Sequence, residues 1–165
     1  MSKANKSNKA IKYRLYPNDE QKVMFAKTFG CCRFVYNQLL ALQKQRYKDG
    51  ESHLSKLKSN EFATRTLKKD YDFLKEIDKF AVSNAVFHLA DAYDRFFKKQ
   101  NHFPKFKSKR KSKKSYTTNF TNNNILIGKN VIKLPKVGMV KAVIHKLPKD
   151  DWKLKSVTVS QDGVG

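Results

Sequence analysis

The feature that most restricts how this chain can fold is a hydrophobic period that changes twice. In "AIKYRLYP" the residues Ile11, Tyr13 and Leu15 alternate with Lys12, Arg14 and Tyr16, the period-2 pattern of a half-buried strand, and Pro17 stops it. No strand-like neighbour follows at once. The apolar residues then recur at helical spacing, and only after the basic segment do short strand-like runs return, in "SYTTNF", "ILIG", "VIKLP", "GMVKAVIH" and "WKLKSVTVS", punctuated by "TNNN", "GKN" and "LPKDD". A strand needs partners for its backbone groups, so the early one must find them among the late ones. The pattern predicts an α+β chain: a small antiparallel sheet or barrel with helices inserted after its first strand, and Ile11 to Tyr16 pairing across the gap.

Within the insertion, Asn18 and Gln21 have the spacing of a capping box. Val23, Ala26, Phe29, Phe34, Val35, Leu39 and Leu42 follow at mostly helical intervals, with Gly30 expected to break or kink the helix. A second helical stretch is predicted from Leu54 to Lys69. Asp78 is the expected N-cap of a third helix, Lys79 to Lys99, whose Val82, Ala85, Val86, Leu89, Tyr93 and Phe96 form an apolar stripe.

Charge narrows the partners. Among 165 residues, 36 basic against 14 acidic side chains give a formal net charge of +22, a field that concentrates polyanions. No apolar run reaches membrane-spanning length and no signal peptide is visible, so the expectation is a soluble, cytosolic nucleic-acid-binding protein with no membrane partner. Cys31 and Cys32 are adjacent, which suits neither a mutual disulfide nor a metal-binding spacing, and they read as packing residues in a reduced compartment. Asp162 in "SQDGVG" reads as part of a hairpin turn and not as a catalytic carboxylate, because one acid cannot build a two-metal phosphodiester site. No catalytic residue, metal site or cofactor is expected in this chain.

Five blocks in order then carry a specific likeness: "IKYRLYPNDEQ", "FGCCRFVYN", "LKEIDKFAVSNAV" with "AYDRFFK", "FPKFKSKRKSKKSYTTNFTNNNI", and "IKLPKVGMVK". This succession resembles the N-terminal half of the TnpB (OrfB) family of insertion-sequence transposons. That family comprises RNA-guided DNA endonucleases ancestral to type V CRISPR effectors. The resemblance implies a wedge domain, an oligonucleotide-binding-like β-barrel, at 1–16 and 116–165, incomplete here, with a helical recognition lobe inserted at 17–115. It implies guide RNA and target double-stranded DNA as partners, with a separate C-terminal nuclease half as a further candidate. The RuvC-like nuclease, its divalent metal and its zinc ribbon are expected in a following half that this sequence does not contain, so the chain alone is expected not to be an enzyme.

The resemblance also assigns residues. Lys79, Phe80, Ser83 and Asn84 match a helix start whose exposed face reads the transposon-adjacent motif of the target; Lys donates to phosphate or base edge and Asn offers donor and acceptor. Thr121 and Asn122, with Asn123, lie in a loop that reaches DNA beside that helix, and His53 matches a region that also touches DNA. Read without the family, these residues are a helix cap, an Asn-rich turn and a solvated loop histidine. Backbone contacts are expected from Arg14 and Arg33 and from the basic strap Lys105, Lys107, Lys109, Arg110, Lys111, Lys113 and Lys114, where each neutralised phosphate releases counterions. Phe103, Pro104 and Phe106 are expected to pin the strap, its lysine-rich second half staying mobile until nucleic acid binds. Tyr13, Tyr16, Tyr36 and Asn37 flank the junction of lobe and wedge, Tyr13 and Tyr36 as core. Two other readings stand beside this one: a guide-independent DNA-binding accessory or regulatory protein of the transposon, and an RNA-binding protein of ribosomal type.

Overall fold

Pro17 ends the first strand and Asn18, the next residue, caps the first helix, each for a local reason. In the computed structural model, which describes residues 7–162, strand β1 is Arg14–Tyr16 and helix α1 is Asp19–Lys48. The Asn18 side chain accepts from the Gln21 backbone N–H at 2.8 Å, and the Asn18 N–H donates to Gln21 Oε1 at 3.0 Å. This reciprocal pair satisfies two donors that a helix start leaves over. Asp19 and Glu20 in the first turn and Arg46 and Lys48 in the last suit the helix dipole.

Gly30 was expected to interrupt α1, and it does not: the helix runs unbroken for 30 residues, roughly 45 Å at 1.5 Å per residue. A helical glycine costs only about 1 kcal/mol relative to alanine. That is outweighed by its surroundings, because Phe25, Phe29, Cys31, Cys32, Val35, Tyr36, Leu39 and Leu40 are all buried on this helix and each large apolar side chain contributes about 1.5–3 kcal/mol.

The second helical stretch opens on Ser55, whose side chain accepts from the Lys58 N–H. It runs as α2 (Lys56–Glu61), a wide π-helical turn (Phe62–Leu67) and the short α3 (Lys68–Asp70). A 3₁₀ turn at Asp72–Glu76 leads to α4, Lys79–Phe97. Asp78 caps α4 by accepting from the Phe80 N–H at 3.0 Å. The expected stripe is the buried face of α4 from Val82 to Tyr93, with Phe96 only half-buried, and it packs on α1.

The later strands are β2 (Ser115–Asn119), β3 (Leu126–Ile127), β4 (Val131–Leu134), β5 (Gly138–Val143) and β6 (Ser156–Ser160). The early strand finds its partner across the insertion: β1 lies antiparallel to β5, with Arg14 opposite Val143 and Tyr16 opposite Lys141. The sheet order is β1-β5-β4-β3. Gln21 of α1 donates to the Met139 carbonyl of β5 at 2.8 Å, which ties the helix start to this sheet.

A barrel was expected, and the described residues form no closed one. Strands β2 and β6 make a separate antiparallel pair. The register gives the physical reason. Gln161 N–H donates to the Lys114 carbonyl and Phe120 N–H to the Lys155 carbonyl, so the even-numbered residues of β2 face β6 and the carbonyls of Thr117 and Asn119 point to the other edge. Among the described residues no strand occupies that edge. Asn84 of α4 donates to the Thr117 carbonyl at 2.8 Å and Asn124 to the Asn119 carbonyl at 2.8 Å. Tyr116, facing the helices, packs against Phe25 and Phe29. The sheet pair is therefore closed on that side by amide side chains. The expected turn at Asp162 and Gly163 extends outside the described residues; Asp162 itself lies 3.3 Å from Lys12, both exposed.

Candidate nucleic-acid interface

The two clusters expected to read DNA are brought together by a chain of asparagine amides. Asn84, in the second turn of α4, donates to the Thr117 carbonyl and reaches the Asn119 side-chain oxygen at 3.3 Å. Asn124 donates to the Asn119 carbonyl and accepts from the Thr121 N–H at 2.9 Å. The loop between them carries Asn122 and Asn123 at φ 50° and 55°, left-handed backbone that asparagine tolerates better than most residues. Thr121, Asn122 and Asn123 are exposed, as is Lys79 at the N-terminus of α4, and Ser83 is half-buried beside them in sequence. The outward side chains thus come from a helix start and a loop held against the same strand. Asn84 has a different place from the one expected: its amide nitrogen is spent on β2, and it positions the cluster. Phe80 is half-buried with the Lys79 ammonium 5.2 Å from its ring centre.

His53 does not join this cluster. Its ring stands edge-on to Tyr93 at 4.6 Å and to Phe97 at 5.3 Å, at the far end of α4, roughly 20 Å along the axis from Lys79 at 1.5 Å per residue. Desolvation in this aromatic surround lowers its pKa below 6.5, with Arg46 acting in the same sense and Asp94 opposing.

Both halves of the strap make contacts that position them. Pro104 is buried, and Phe103 stands edge-on to Phe96 at 5.1 Å and Tyr93 at 5.5 Å. Two residues past Lys105, the Asn37 side chain of α1 donates to the Lys107 carbonyl at 2.9 Å and accepts from the Lys107 N–H at 2.8 Å. One amide thereby supplies both halves of a strand-like backbone pairing. The second half, expected to be mobile, is drawn into a turn around Ser108: its carbonyl accepts from Ser112 N–H, its hydroxyl from Arg110 and Lys111 N–H, and its own N–H donates to the Ser112 hydroxyl.

Lys105, Lys109, Arg110, Lys111 and Lys113 are exposed and Lys114 is half-buried. Lys107 differs. Its ammonium sits 4.3 Å above the Tyr36 ring, and desolvation lowers its pKa. Arg33 of α1 lines a small recess of about 20 Å³ under the Ser108 turn, with Lys107, Lys113 and Lys114 on the other walls. Arg14 is exposed on β1, opposite Val143. Tyr36 is buried as expected; Tyr13 is half-buried, edge-on to His145, its hydroxyl donating to the Lys146 carbonyl.

Burial pushes the Cys32 thiol up to about 12, so it is inert at neutral pH, and its sulfur donates to the Ala81 carbonyl. Among the described residues no group of three His, Cys, Asp or Glu side chains is placed to hold a metal ion, and no helix is long and apolar enough to cross a membrane.

Residues 5–52 match the helix-turn-helix domain family of the OrfB IS605 type. The described part of that match holds β1 and the unbroken α1. The chain is 35% identical over 108 residues to a candidate RNA-guided DNA endonuclease of Streptomyces pristinaespiralis, an alignment covering 65% of this chain and 27% of that protein. It is 30% identical over 106 residues to InsQ of Escherichia coli K12, described in the same words, with 61% of this chain and 25% of InsQ covered. A virulence protein of Salmonella dublin, VsdF, is 32% identical over 111 residues, which cover 61% of this chain and 93% of VsdF. The alignment thus spans about a quarter of the first two relatives.

Proposed function

Because this chain belongs to the TnpB (OrfB) family, as a partial N-terminal region of it, we propose that it is the nucleic-acid-binding part of an RNA-guided DNA endonuclease. In this reading it holds guide RNA through its basic strap and reads the transposon-adjacent motif of double-stranded target DNA, in the cytoplasm beside the nucleoid. Cleavage falls to residues outside this chain, since phosphodiester hydrolysis of the two-metal kind needs several clustered carboxylates.

The observation that carries the reading is the amide chain joining Asn84, Asn119, Asn124 and Thr121. It fixes the helix start that bears Lys79 and Ser83 against the loop that bears Thr121, Asn122 and Asn123. Groups that discriminate bases must be held in register by neighbours, and side chains rich in paired donors and acceptors suit base edges. The exposed cations of the strap supply the sequence-independent share of the affinity.

Base readers and backbone grips fail differently, and that is the test. The chain with guide RNA and a nuclease half is offered DNA with randomised flanks to find its motif. Asn122→Ala and Thr121→Ala should then cost roughly 1–3 kcal/mol on the motif and little on scrambled DNA. Replacing Lys109, Arg110, Lys111, Lys113 and Lys114 by Ala should weaken both DNAs alike and flatten the salt slope of binding by about two to four units. Equal losses on both DNAs for the loop variants would remove the reader assignment, and an unchanged salt slope would reduce the strap to solvated charge.

A guide-independent DNA-binding accessory protein is the second reading, and the helix-turn-helix description of the family match favours it. Site-specific binding to DNA with no RNA present would decide for it.

A further inference from the structure

An open pocket of about 560 Å³ lies where the strap crosses the end of α1, lined by Lys44, His102, Phe103, Pro104, Lys105 and Phe106. Its two aromatic rings are among the exposed large apolar side chains of the described residues: Phe103 is 41% exposed and Phe106 is 52% exposed. Neither stands on a loose loop. Buried Pro104 lies between them, Phe103 is fixed edge-on by Tyr93 and Phe96, and the Asn37 clamp holds the backbone one residue beyond Phe106. The Lys44 ammonium stands 4.5 Å from the Phe106 ring centre and 5.6 Å from that of Phe103.

Exposed rings on a pinned backbone, rimmed by Lys44 and Lys105, combine a stacking surface with counter-charge. That is the pairing by which proteins hold single-stranded nucleic acid: the ring takes the face of a base and the cations take its phosphates. A duplex cannot use it, since its base faces are already stacked. An apolar protein segment would gain from the rings but nothing from the cationic rim, and no acidic side chain lines the pocket. We infer that this pocket is a stacking site for one unpaired nucleobase of a single-stranded segment, with Phe106 as the platform, Phe103 as its supporting wall and Lys44 moving from the ring to the neighbouring phosphate. The inference rests on the nucleic-acid reading above and adds to it a site away from the motif-reading cluster.

The experiment compares binding of the full chain to one RNA oligonucleotide of about 12 nucleotides, within the site sizes of sequence-tolerant single-strand binders. The same RNA as a duplex and a DNA single strand of the same sequence are measured beside it. Phe106→Ala and Phe106→Leu should each weaken single-strand binding about 5- to 100-fold, the range of one lost base stack, while duplex affinity and the salt slope stay as in the unmodified chain. Phe106→Trp should keep the affinity. Phe106 is half-exposed, so these variants should fold, which circular dichroism checks. The RNA and DNA arms show which strand supplies the base. No nucleic-acid binding by the unmodified chain would overturn the parent reading and the pocket together. Normal binding that Phe106→Ala and Phe106→Leu leave unchanged, or that they weaken equally for duplex, would overturn the pocket alone.

Discussion

Replacing Asn84 by Ala separates a residue that touches DNA from one that holds its neighbours. The substitution removes a 2.8 Å hydrogen bond to the Thr117 carbonyl and a 3.3 Å contact to the Asn119 side chain, both half-buried. Each such bond is worth about 1 kcal/mol net. Thr117 is itself only half-buried, so water can reach the freed carbonyl and the full penalty for an orphaned buried acceptor does not apply. Alanine also returns about 0.6 kcal/mol of helix propensity. The expected net loss is about 1–2 kcal/mol of folding stability, a shift of roughly 0.7 M in the urea midpoint at about 2 kcal/mol per M. Asn122→Ala, on an exposed loop, should stay within about 0.5 kcal/mol. The assay is urea unfolding of both variants followed by the paired DNA comparison. An Asn84→Ala protein with an unchanged midpoint and a loss confined to motif DNA would refute the reasoning, because its amide would then face DNA and not β2.

Gly30→Ala should stabilise the protein by about 0.5–1 kcal/mol, since an added Cβ meets only the end of the Arg33 side chain at 3.8 Å; a lowered melting temperature would contradict this. Asn37→Ala removes both bonds to the Lys107 backbone and should speed amide exchange at Lys107 by roughly 10- to 30-fold, so unchanged exchange would show that the strap is held elsewhere. Because desolvation places the folded pKa of His53 below 6.5, the unfolded state takes up its proton first. The stability linked to neutral His53 is therefore fully present above 6.5 and lost as pH falls through the lowered folded value. An NMR titration of its ring protons with a midpoint at or above 6.5 would overturn that assignment.

Signals that act within one turn of chain were readable from the sequence. Asn18 with Gln21, and Asp78 before the apolar stripe, specify helix starts through bonds three residues apart or fewer; the alternation from Ile11 also signals a strand, though only its end, Arg14–Tyr16, forms the ladder. That β1 pairs across the insertion followed from one more step, that a lone strand needs a partner; which of the later strands it pairs with, β5, did not. What stayed hidden depends on contacts between distant segments. An asparagine on a helix face carries the same local pattern whether it meets solvent or, like Asn84, a strand edge 33 residues away. Nothing around Asn37 announces that Lys107 lies opposite, and nothing around Lys44 announces Phe106. Gly30 misled because its propensity cost is visible locally and the burial that outweighs it is not. His53 is the exposed loop residue its surroundings suggest, but its edge-on contacts with Tyr93 and Phe97 were hidden because those rings lie on a helix 40 residues away.

The amide side chains along the outer edge of β2 also bear on the behaviour of the protein at high concentration. An uncovered strand edge templates pairing with another molecule, and the outward carbonyls of Thr117 and Asn119 would be its first acceptors. Asn84 and Asn124 occupy them with groups that cannot extend the ladder. These bonds block that edge as a template, and replacing both asparagines by Ala should raise association through β2, visible as increased light scattering at high protein concentration.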